Sequence, residues 1–204
     1  MELGFCSLQS EQISDLCRTI TMSEPALQEL NFWGVNLKLI NGTMIGYAIA
    51  KLKKVVLTGT GMISKEMEKV FRVLEKENPL YLEELGLGLM NLGQISEVLL
   101  AQTLIKLKRV NIAEAQLTLP QLSQLTKSII EKKEPPVLEA LDISGNLVSK
   151  VQPQKLAKAL AKIEKVNLKY CGVLESQLRA IADEILASIK TTALKSLNLQ
   201  GNSK

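Results

Sequence analysis

The stretch KIEKVNLKYC (residues 162–171) closely resembles two earlier stretches of the same chain, KLKRVNIAEA from Lys106 and KLKKVVLTGT from Lys51. The starting lysines are 55 and then 56 residues apart. Self-similarity at a fixed period of this size is typical of repeat architectures, in which each structural unit stacks on its neighbours. The sequence therefore predicts an array of repeated units.

A shared frame, L-x-x-L-x-L, extends this similarity over the whole chain. Seven copies are present, in a first series beginning at Leu27, Leu82, Leu138 and Leu194 and a second series beginning at Leu52, Leu107 and Ile163. The chain advances by 25 residues from the first series to the second, and by 30 or 31 residues back to the first. We therefore predict that residues 1–204 form one array of about seven repeats in alternating short and long units, preceded by a partial unit at residues 3–5.

Each unit combines two hydrophobic periods. The frame places apolar residues at alternate positions, the pattern of a strand with one buried face. The following segments show helical spacing, as in Met67, Val70, Phe71 and Leu74, in Leu122, Leu125, Ile129 and Ile130, and in Leu178, Ile181, Ala182, Ile185, Leu186 and Ile189. Pro120 and Pro153 suit first helical turns, and Pro25, Pro79 and Pro135 are placed to end helices. The predicted unit is strand, turn, helix, turn.

The extended frame L-x-x-L-x-L-x-x-(N/C)-x-L, as in LEALDISGNLV (residues 138–148) and IEKVNLKYCGV (residues 163–173), resembles leucine-rich repeats. The alternation of two helix-bearing units is similar to the ribonuclease-inhibitor subfamily, which also supplies the repeat regions of NOD-like receptors. This resemblance covers essentially the whole chain. It implies an α/β solenoid with a parallel sheet on the concave face and helices on the convex face. The ninth frame position departs from Asn or Cys at Val35, Thr60, Met90 and Ala115.

Catalytic, cofactor and metal sites are not predicted. The chain contains no histidine, and TGTGMIS (residues 58–64) lacks the Lys-Ser/Thr pair of a phosphate-binding loop. The three cysteines form no CxxC pair, and Cys171 occupies the structural Asn/Cys position of the frame. We therefore expect a protein that is not an enzyme, needs no cofactor and holds no metal.

Location can also be read from hydropathy. No stretch approaches the roughly 18 apolar residues of a membrane helix, and the first residues lack the pattern of a signal peptide. We therefore expect a cytoplasmic protein without a membrane segment.

Charged residues alternate in sign along the array at frame positions two and three. These pairs are Gln28-Glu29, Lys53-Lys54, Glu83-Glu84, Lys108-Arg109, Glu139-Ala140, Glu164-Lys165 and Lys195-Ser196. Because neighbouring parallel strands place equal frame positions side by side, acid should face base repeatedly. This charge ladder interrupts any basic track for nucleic acid, as does the scarcity of aromatics, which number seven in all (one Trp, three Tyr, three Phe). Lys155, Lys158 and Lys162 are assigned to a solvated helix face.

The resemblance implies that a protein partner binds the concave sheet. The predicted contact residues are Asn31, Trp33, Thr58, Asn111, Asp142, Asn167, Lys169, Tyr170 and Asn198. Trp33 either anchors a partner or covers an end of the array. The asparagines either bind a partner's backbone or one another. Gly86 and Gly88 leave a bare patch in mid-sheet, either a dip for a partner side chain or a weak strand.

The predicted function is non-catalytic protein recognition, with the sensor region of an intracellular NOD-like innate immune receptor as its specific form. The alternative is an autoinhibitory repeat region that packs on other domains of its parent chain. A GTPase-activating or nucleic-acid-binding repeat protein is favoured less. Because no polar capping unit is recognisable at either end, we expect a segment of a longer protein, whose open edge could form a dimer.

Overall fold

The computed structural model describes residues 1–22, 26–77, 80–132, 138–188 and 192–202. In these residues seven helices alternate with seven short strands. The helices are α1 (Ser10–Met22), α2 (Gly42–Ala50), α3 (Ser64–Lys76), α4 (Glu97–Leu104), α5 (Leu119–Glu131), α6 (Pro153–Leu160) and α7 (Glu175–Ala187). The strands are β1 (Glu29–Asn31), β2 (Lys54–Val56), β3 (Glu84–Gly86), β4 (Arg109–Asn111), β5 (Ala140–Asp142), β6 (Lys165–Asn167) and β7 (Ser196–Asn198).

The strands form one open parallel sheet in sequence order. Pairing joins equal frame positions throughout, so that Leu30, Val55, Leu85, Val110, Leu141, Val166 and Leu197 lie side by side. The partial unit pairs with β1, because the N–H groups of Leu3 and Phe5 donate to the carbonyls of Asn31 and Trp33 at 2.9 Å. The fold is an α/β leucine-rich repeat solenoid, as predicted.

The frame residues build the core between the sheet and the helices. Leu52, Val55 and Leu57 are fully buried, and the equivalent residues of the other central repeats are at most 3% exposed. In the repeat that contains β7, Leu194, Leu197 and Leu199 are only partly buried. Within each strand, the residues that alternate with these core positions point to the opposite face of the sheet, which is in contact with solvent.

Helix length explains the alternation of unit lengths. The helices α1, α3, α5 and α7 each have 13 residues, whereas α2 has nine and α4 and α6 have eight. This difference of four or five residues accounts for most of the difference between the short and long units.

The predicted apolar stripes are confirmed on α3 and α5 but only in part on α7. Met67, Val70, Phe71 and Leu74 are buried, and so are Leu122, Leu125 and Ile129. On α7 the stripe prediction was wrong at Leu178, Ala182 and Leu186, which are exposed. Among the described helices, the neighbour of α7 is α6. Because a single neighbouring helix covers only one side of α7, part of its apolar stripe stays exposed.

The helix-start prolines lie where they were predicted. Pro120 and Pro153 occupy the first turns of α5 and α6. Pro25, Pro79, Pro135 and Ile189 lie outside the described residues, so the predictions made for them remain predictions.

The assignment of Lys162 to a solvated helix face was wrong. Its Nζ donates to the carbonyl of Ile130 at 2.5 Å, in the last turn of α5. The equivalent lysines act alike: Lys106 donates to the carbonyl of Glu75 near the end of α3, and Lys51 donates to that of Thr21 in α1. These are the lysines that open the three similar stretches. Each short unit thus supplies a cation to the C-terminal end of the preceding long helix. The last carbonyls of a helix have no hydrogen-bond partner within the helix itself.

Candidate interaction surface

The exposed face of the sheet carries three rows of side chains, because successive strand residues point to opposite faces. The first row is Glu29, Lys54, Glu84, Arg109, Ala140, Lys165 and Ser196. The middle row is Asn31, Val56, Gly86, Asn111, Asp142, Asn167 and Asn198. The last row, just beyond the strands, is Trp33, Thr58, Gly88, Ala113, Ser144, Lys169 and Gln200.

The structure divides the predicted contact residues into two groups. Four of them, Asn111, Asp142, Asn167 and Asn198, are neighbours on β4–β7, and Lys169 and Tyr170 lie in the turn after β6. Asn31, Trp33 and Thr58 lie at the other end, on or just beyond β1 and β2. Gly86 and Gly88 separate the two groups.

A depression of about 440 Å³ crosses this face from β2 to β7. Its lining includes Thr58, Asn111, Asp142, Asn167 and Asn198 of the predicted residues. Asn31, Trp33, Lys169 and Tyr170 do not line it. Its lining also includes Val56 and Gly86, which the sequence placed on this face, and residues that the prediction omitted, namely Lys54, Glu84, Arg109, Ala140, Lys165 and Ser196. The repeat frame could have identified the omitted residues, since they occupy the first row.

The side-chain oxygens of the middle row are bound to the protein's own backbone. Oδ1 of each accepts from the N–H two residues later, as in Asn111 to Ala113 (3.0 Å) and Asn198 to Gln200 (3.0 Å). This local bond is the one by which Asn and Asp fix a turn. Nδ2 of Asn167 also donates to Oδ2 of Asp142 at 2.9 Å. Within the described part of the chain, the amide donors of Asn111 and Asn198 remain available to a ligand.

Trp33 lies against another aromatic ring. Its ring centroid is 5.2 Å from that of Phe5, which belongs to the partial unit. Trp33 is nevertheless 48% exposed. It is therefore not the outermost aromatic of the array, and about half of its surface remains free for contact.

Tyr170 is held in an uncommon backbone conformation. Its φ is 56°, in the left-handed region that favours glycine, and Gly34, Gly59, Gly145 and Gly201 take the same position in other repeats. The ring lies against Gly201, where any Cβ would overlap it. Nζ of Lys169 lies 4.9 Å from the ring centroid, at cation–π distance. An aromatic surface that is 59% exposed is thus fixed in position beside a cation.

Gly86 and Gly88 do not occupy positions that require glycine. A Cβ on either residue would meet its nearest neighbours at 3.4 Å or more, which is ordinary contact, and neither residue has a positive φ. Glycine inside a strand weakens it, because no side chain packs there. The two glycines at the centre of the sheet therefore lower its stability, although no close contact requires glycine at either position.

The predicted charge ladder is confirmed in the middle of the sheet. Nζ of Lys54 lies 3.6 Å from Glu84, Lys108 pairs with Glu83 at 2.9 Å, and Arg109 pairs with Glu84 and, at 3.1 Å, with Glu139. The bond from Lys108 lowers the pKa of Glu83, and the bond to Glu84 raises the pKa of Arg109. These ion pairs alternate in sign as the sequence predicted.

The ladder is interrupted between β5 and β6, where Ala140 lies opposite Lys165. On the far side of this gap, Lys195 pairs with Glu164 at 3.4 Å. The gap was readable from the sequence, because Glu139-Ala140 is followed by Glu164-Lys165 and the sign does not alternate there.

The thiol at the Asn/Cys position is structural. Cys171 is buried, and its Sγ donates to the carbonyl of Ile143 at 3.2 Å. Burial raises its pKa to about 11, which keeps the thiol protonated and unreactive. No cluster of three or more His, Cys, Asp or Glu side chains that could hold a metal ion occurs among the described residues. None of the helices described is both long enough and apolar enough to cross a bilayer.

Comparison with known proteins finds similarity among solved structures. No protein-family model matches the sequence, and no curated protein matches it. Among solved structures, the chain is similar to the leucine-rich repeat-containing protein LegL7 from Legionella pneumophila. The sequence identity is 17%, the TM-score is 0.49, and the match covers 99% of this chain and 73% of that one.

Proposed function

We propose that this chain is a non-catalytic recognition module that binds a protein partner in the depression on the exposed face of its sheet. The observation that carries the proposal is the bare centre of that face. Gly86 lies in the floor of the depression, although neither its backbone conformation nor its neighbours require glycine. Natural sequences tolerate such a local cost at functional sites.

The surroundings of the depression also suit a protein ligand. Asn111 and Asn198, whose amide donors remain available, line it, and the exposed rings of Trp33 and Tyr170 lie beyond its lining. Exposed aromatics held in place are favoured as anchors in protein interfaces. The predicted contact residues Asn31, Trp33, Thr58, Asn111, Asp142, Asn167, Lys169, Tyr170 and Asn198 therefore remain our proposed contacts.

Filling the depression separates binding from folding. The Gly86→Leu variant places a side chain where the structure has room, and it removes an unfavourable strand glycine. We expect its thermal unfolding midpoint to equal or exceed that of the wild type, while its affinity for the partner falls at least about tenfold, the equivalent of 1.4 kcal/mol. The matched control is Gln102→Leu on the exposed side of α4.

The measurement is affinity capture followed by mass spectrometry, then calorimetric titration of the captured partner. Binding that Gly86→Leu leaves intact would contradict the proposal. A Trp33→Ala, Lys169→Glu, Tyr170→Ala variant then tests whether the two ends of the surface contribute.

We further propose that the module is the sensor region of an intracellular NOD-like innate immune receptor. The support is the alternation of short and long helix-bearing units, which resembles the ribonuclease-inhibitor subfamily. Capture of domains from the same parent chain, and of no separate ligand, would favour the autoinhibitory role instead. The cytoplasmic location, the membership of a longer chain and the edge-mediated dimer stay predictions.

A further inference from the structure

The two lysines of β6 and its following turn differ from the other cations of the exposed rows. Lys54 and Arg109 are paired with carboxylates of adjacent strands. Lys165 and Lys169 form no ion pair within 4.0 Å with any residue that the structure describes. These two cations therefore remain available to an external anion.

The nearby carboxylates are already bound. Asp142, on the adjacent strand, accepts from the N–H and the hydroxyl of Ser144 at 2.9 and 2.6 Å, and from Nδ2 of Asn167 at 2.9 Å. Glu164 pairs with Lys195 at 3.4 Å, and Glu139 pairs with Arg109 at 3.1 Å. These carboxylates are held by their own partners and form no ion pair within 4.0 Å with Lys165 or Lys169, so they offset the charge of the two lysines only at long range.

Both lysines belong to one built surface. Lys165 lines the depression beside Asn167 and Asn198. The Lys169 ammonium lies over the ring of Tyr170, which the turn and Gly201 fix in place. The surface thus offers two ammonium groups, an amide donor at Asn198 and an aromatic face. These groups suit a ligand with carboxylates and an extended backbone.

We propose that the segment bound at β6 and β7 is an extended acidic peptide with carboxylates four residues apart. This inference rests on the proposed function and names the chemistry of the partner. Lys165 begins β6 and Lys169 lies four positions later, in the turn after the strand, so their Cα atoms are at most about 13 Å apart at 3.3 Å per residue. An extended peptide aligned with β6 presents side chains i and i+4 on one side at that same spacing. Carboxylates at i and i+1 point to opposite sides and reach only one lysine.

The test uses two capped decapeptides of Gly and Ser that each carry two glutamates, at positions three and seven or at positions three and four. Each is titrated into the isotopically labelled protein and followed by amide chemical shifts. We expect the first peptide to shift the amides of residues 165–170 and 198 and to bind at least about fivefold more tightly than the second. Its affinity should fall as salt is added, since the contacts are partly exposed ion pairs.

Matched charge reversals separate a local site from overall charge. Lys165→Glu with Lys169→Glu should weaken binding at least about tenfold. Lys155→Glu with Lys158→Glu makes the same change in net charge on the exposed side of α6 and should change affinity less than about twofold. Lys165→Gln with Lys169→Gln removes both cations without adding like charge beside Glu164, and it should also abolish the shifts.

Three results would overturn the proposal. They are equal weakening by both reversals, equal binding of the two peptides, and tighter binding of a ten-nucleotide oligothymidylate at the same amides, which would indicate a nucleic-acid phosphate site. If the peptides fail but Gly86→Leu still abolishes partner capture, only the acidic chemistry is wrong. If Gly86→Leu has no effect on capture, the proposed function itself is wrong.

Discussion

At the scale of single residues, one position in each long helix from α3 onward links neighbouring repeats. Gln121 and Gln177 are 56 residues apart, and each Nε2 donates to two carbonyls of the preceding short unit, those of Leu92 and Ile95 at 2.7 Å and of Val148 and Val151 at 2.8 Å. The equivalent residue in α3 is Glu66, which accepts the N–H of Gly42 at 2.7 Å instead. A carboxylate has no proton to donate to a carbonyl. Glu66 therefore accepts a backbone N–H at the position where Gln121 and Gln177 donate to carbonyl oxygens.

Glu66 should make stability depend on acid pH. The bond from the Gly42 N–H and then the bond from Lys69 lower its pKa below the usual value of 4.5. A carboxylate with a depressed pKa contributes fully above its unfolded-state pKa, and the contribution is lost as pH falls through the folded-state value. Glu66→Gln keeps an acceptor for Gly42 but loses the charge that attracts Lys69. We expect this variant to be less stable than the wild type at pH 7 and to lose less stability as the pH falls through and below 4.5, the usual pKa of a glutamate.

Urea unfolding at several pH values measures this effect. The control is Glu68→Gln on the same helix, whose carboxylate pairs with Arg72. A wild-type curve that parallels the Glu66→Gln curve at acid pH would contradict the assigned role.

At the scale of elements, carbonyls at the C-terminal ends of α1, α3 and α5 accept hydrogen bonds from lysines of the following short unit. Lys51, Lys106 and Lys162 each donate to a carbonyl in the last turn of a 13-residue helix. A cation at the carboxyl end of a helix interacts favourably with the helix dipole. Lysine therefore recurs at this position because α1, α3 and α5 each end with carbonyls that have no partner within the helix.

Replacing one of these lysines should destabilise the array. Lys106→Met keeps much of the apolar stem but removes the cation from the end of α3. We expect a loss of about 1 kcal/mol and a fall of roughly 2–4 °C in the unfolding midpoint. Differential scanning calorimetry measures the shift, with the exposed Lys38→Met as control. Equal midpoints for the two variants would show that the Lys106 contact does not stabilise the helix.

At the scale of the whole molecule, stability is a sum over interfaces between neighbouring repeats, since each repeat contacts mainly the next. The charge ladder contributes at the β2–β3, β3–β4 and β4–β5 interfaces through its ion pairs. Each partly exposed pair contributes about 0.2–1 kcal/mol. A slip by one unit type would set like charges side by side, so the ladder also favours the correct register.

Reversing the charges on one strand tests whether the charge ladder stabilises the protein. Lys108→Glu with Arg109→Glu places four acids side by side at the starts of β3 and β4, and we expect the unfolding midpoint to fall. Adding Glu83→Lys and Glu84→Lys should restore part of the loss, although Lys54 would then face a lysine. Thermal unfolding at low and high salt measures both effects, and salt should reduce them. If the fourfold variant were no more stable than the double variant, the pairs would have no role in stability.

The sequence by itself determined the repeat, the strand register, the core positions and the strand-helix alternation. Each of these follows from periodic burial of apolar residues such as Val55 and Val166, and a period can be counted along a chain. It also placed the row that contains Asn111 and Asn198. The tertiary structure decided which polar groups are already bound. It bound Lys162 to α5 and Asn167 to Asp142, and it left Lys165 and Lys169 without an ion pair among the described residues. The two bonds join residues 32 and 25 positions apart on stacked units, and their partners are set by distances in space that no period along the chain contains.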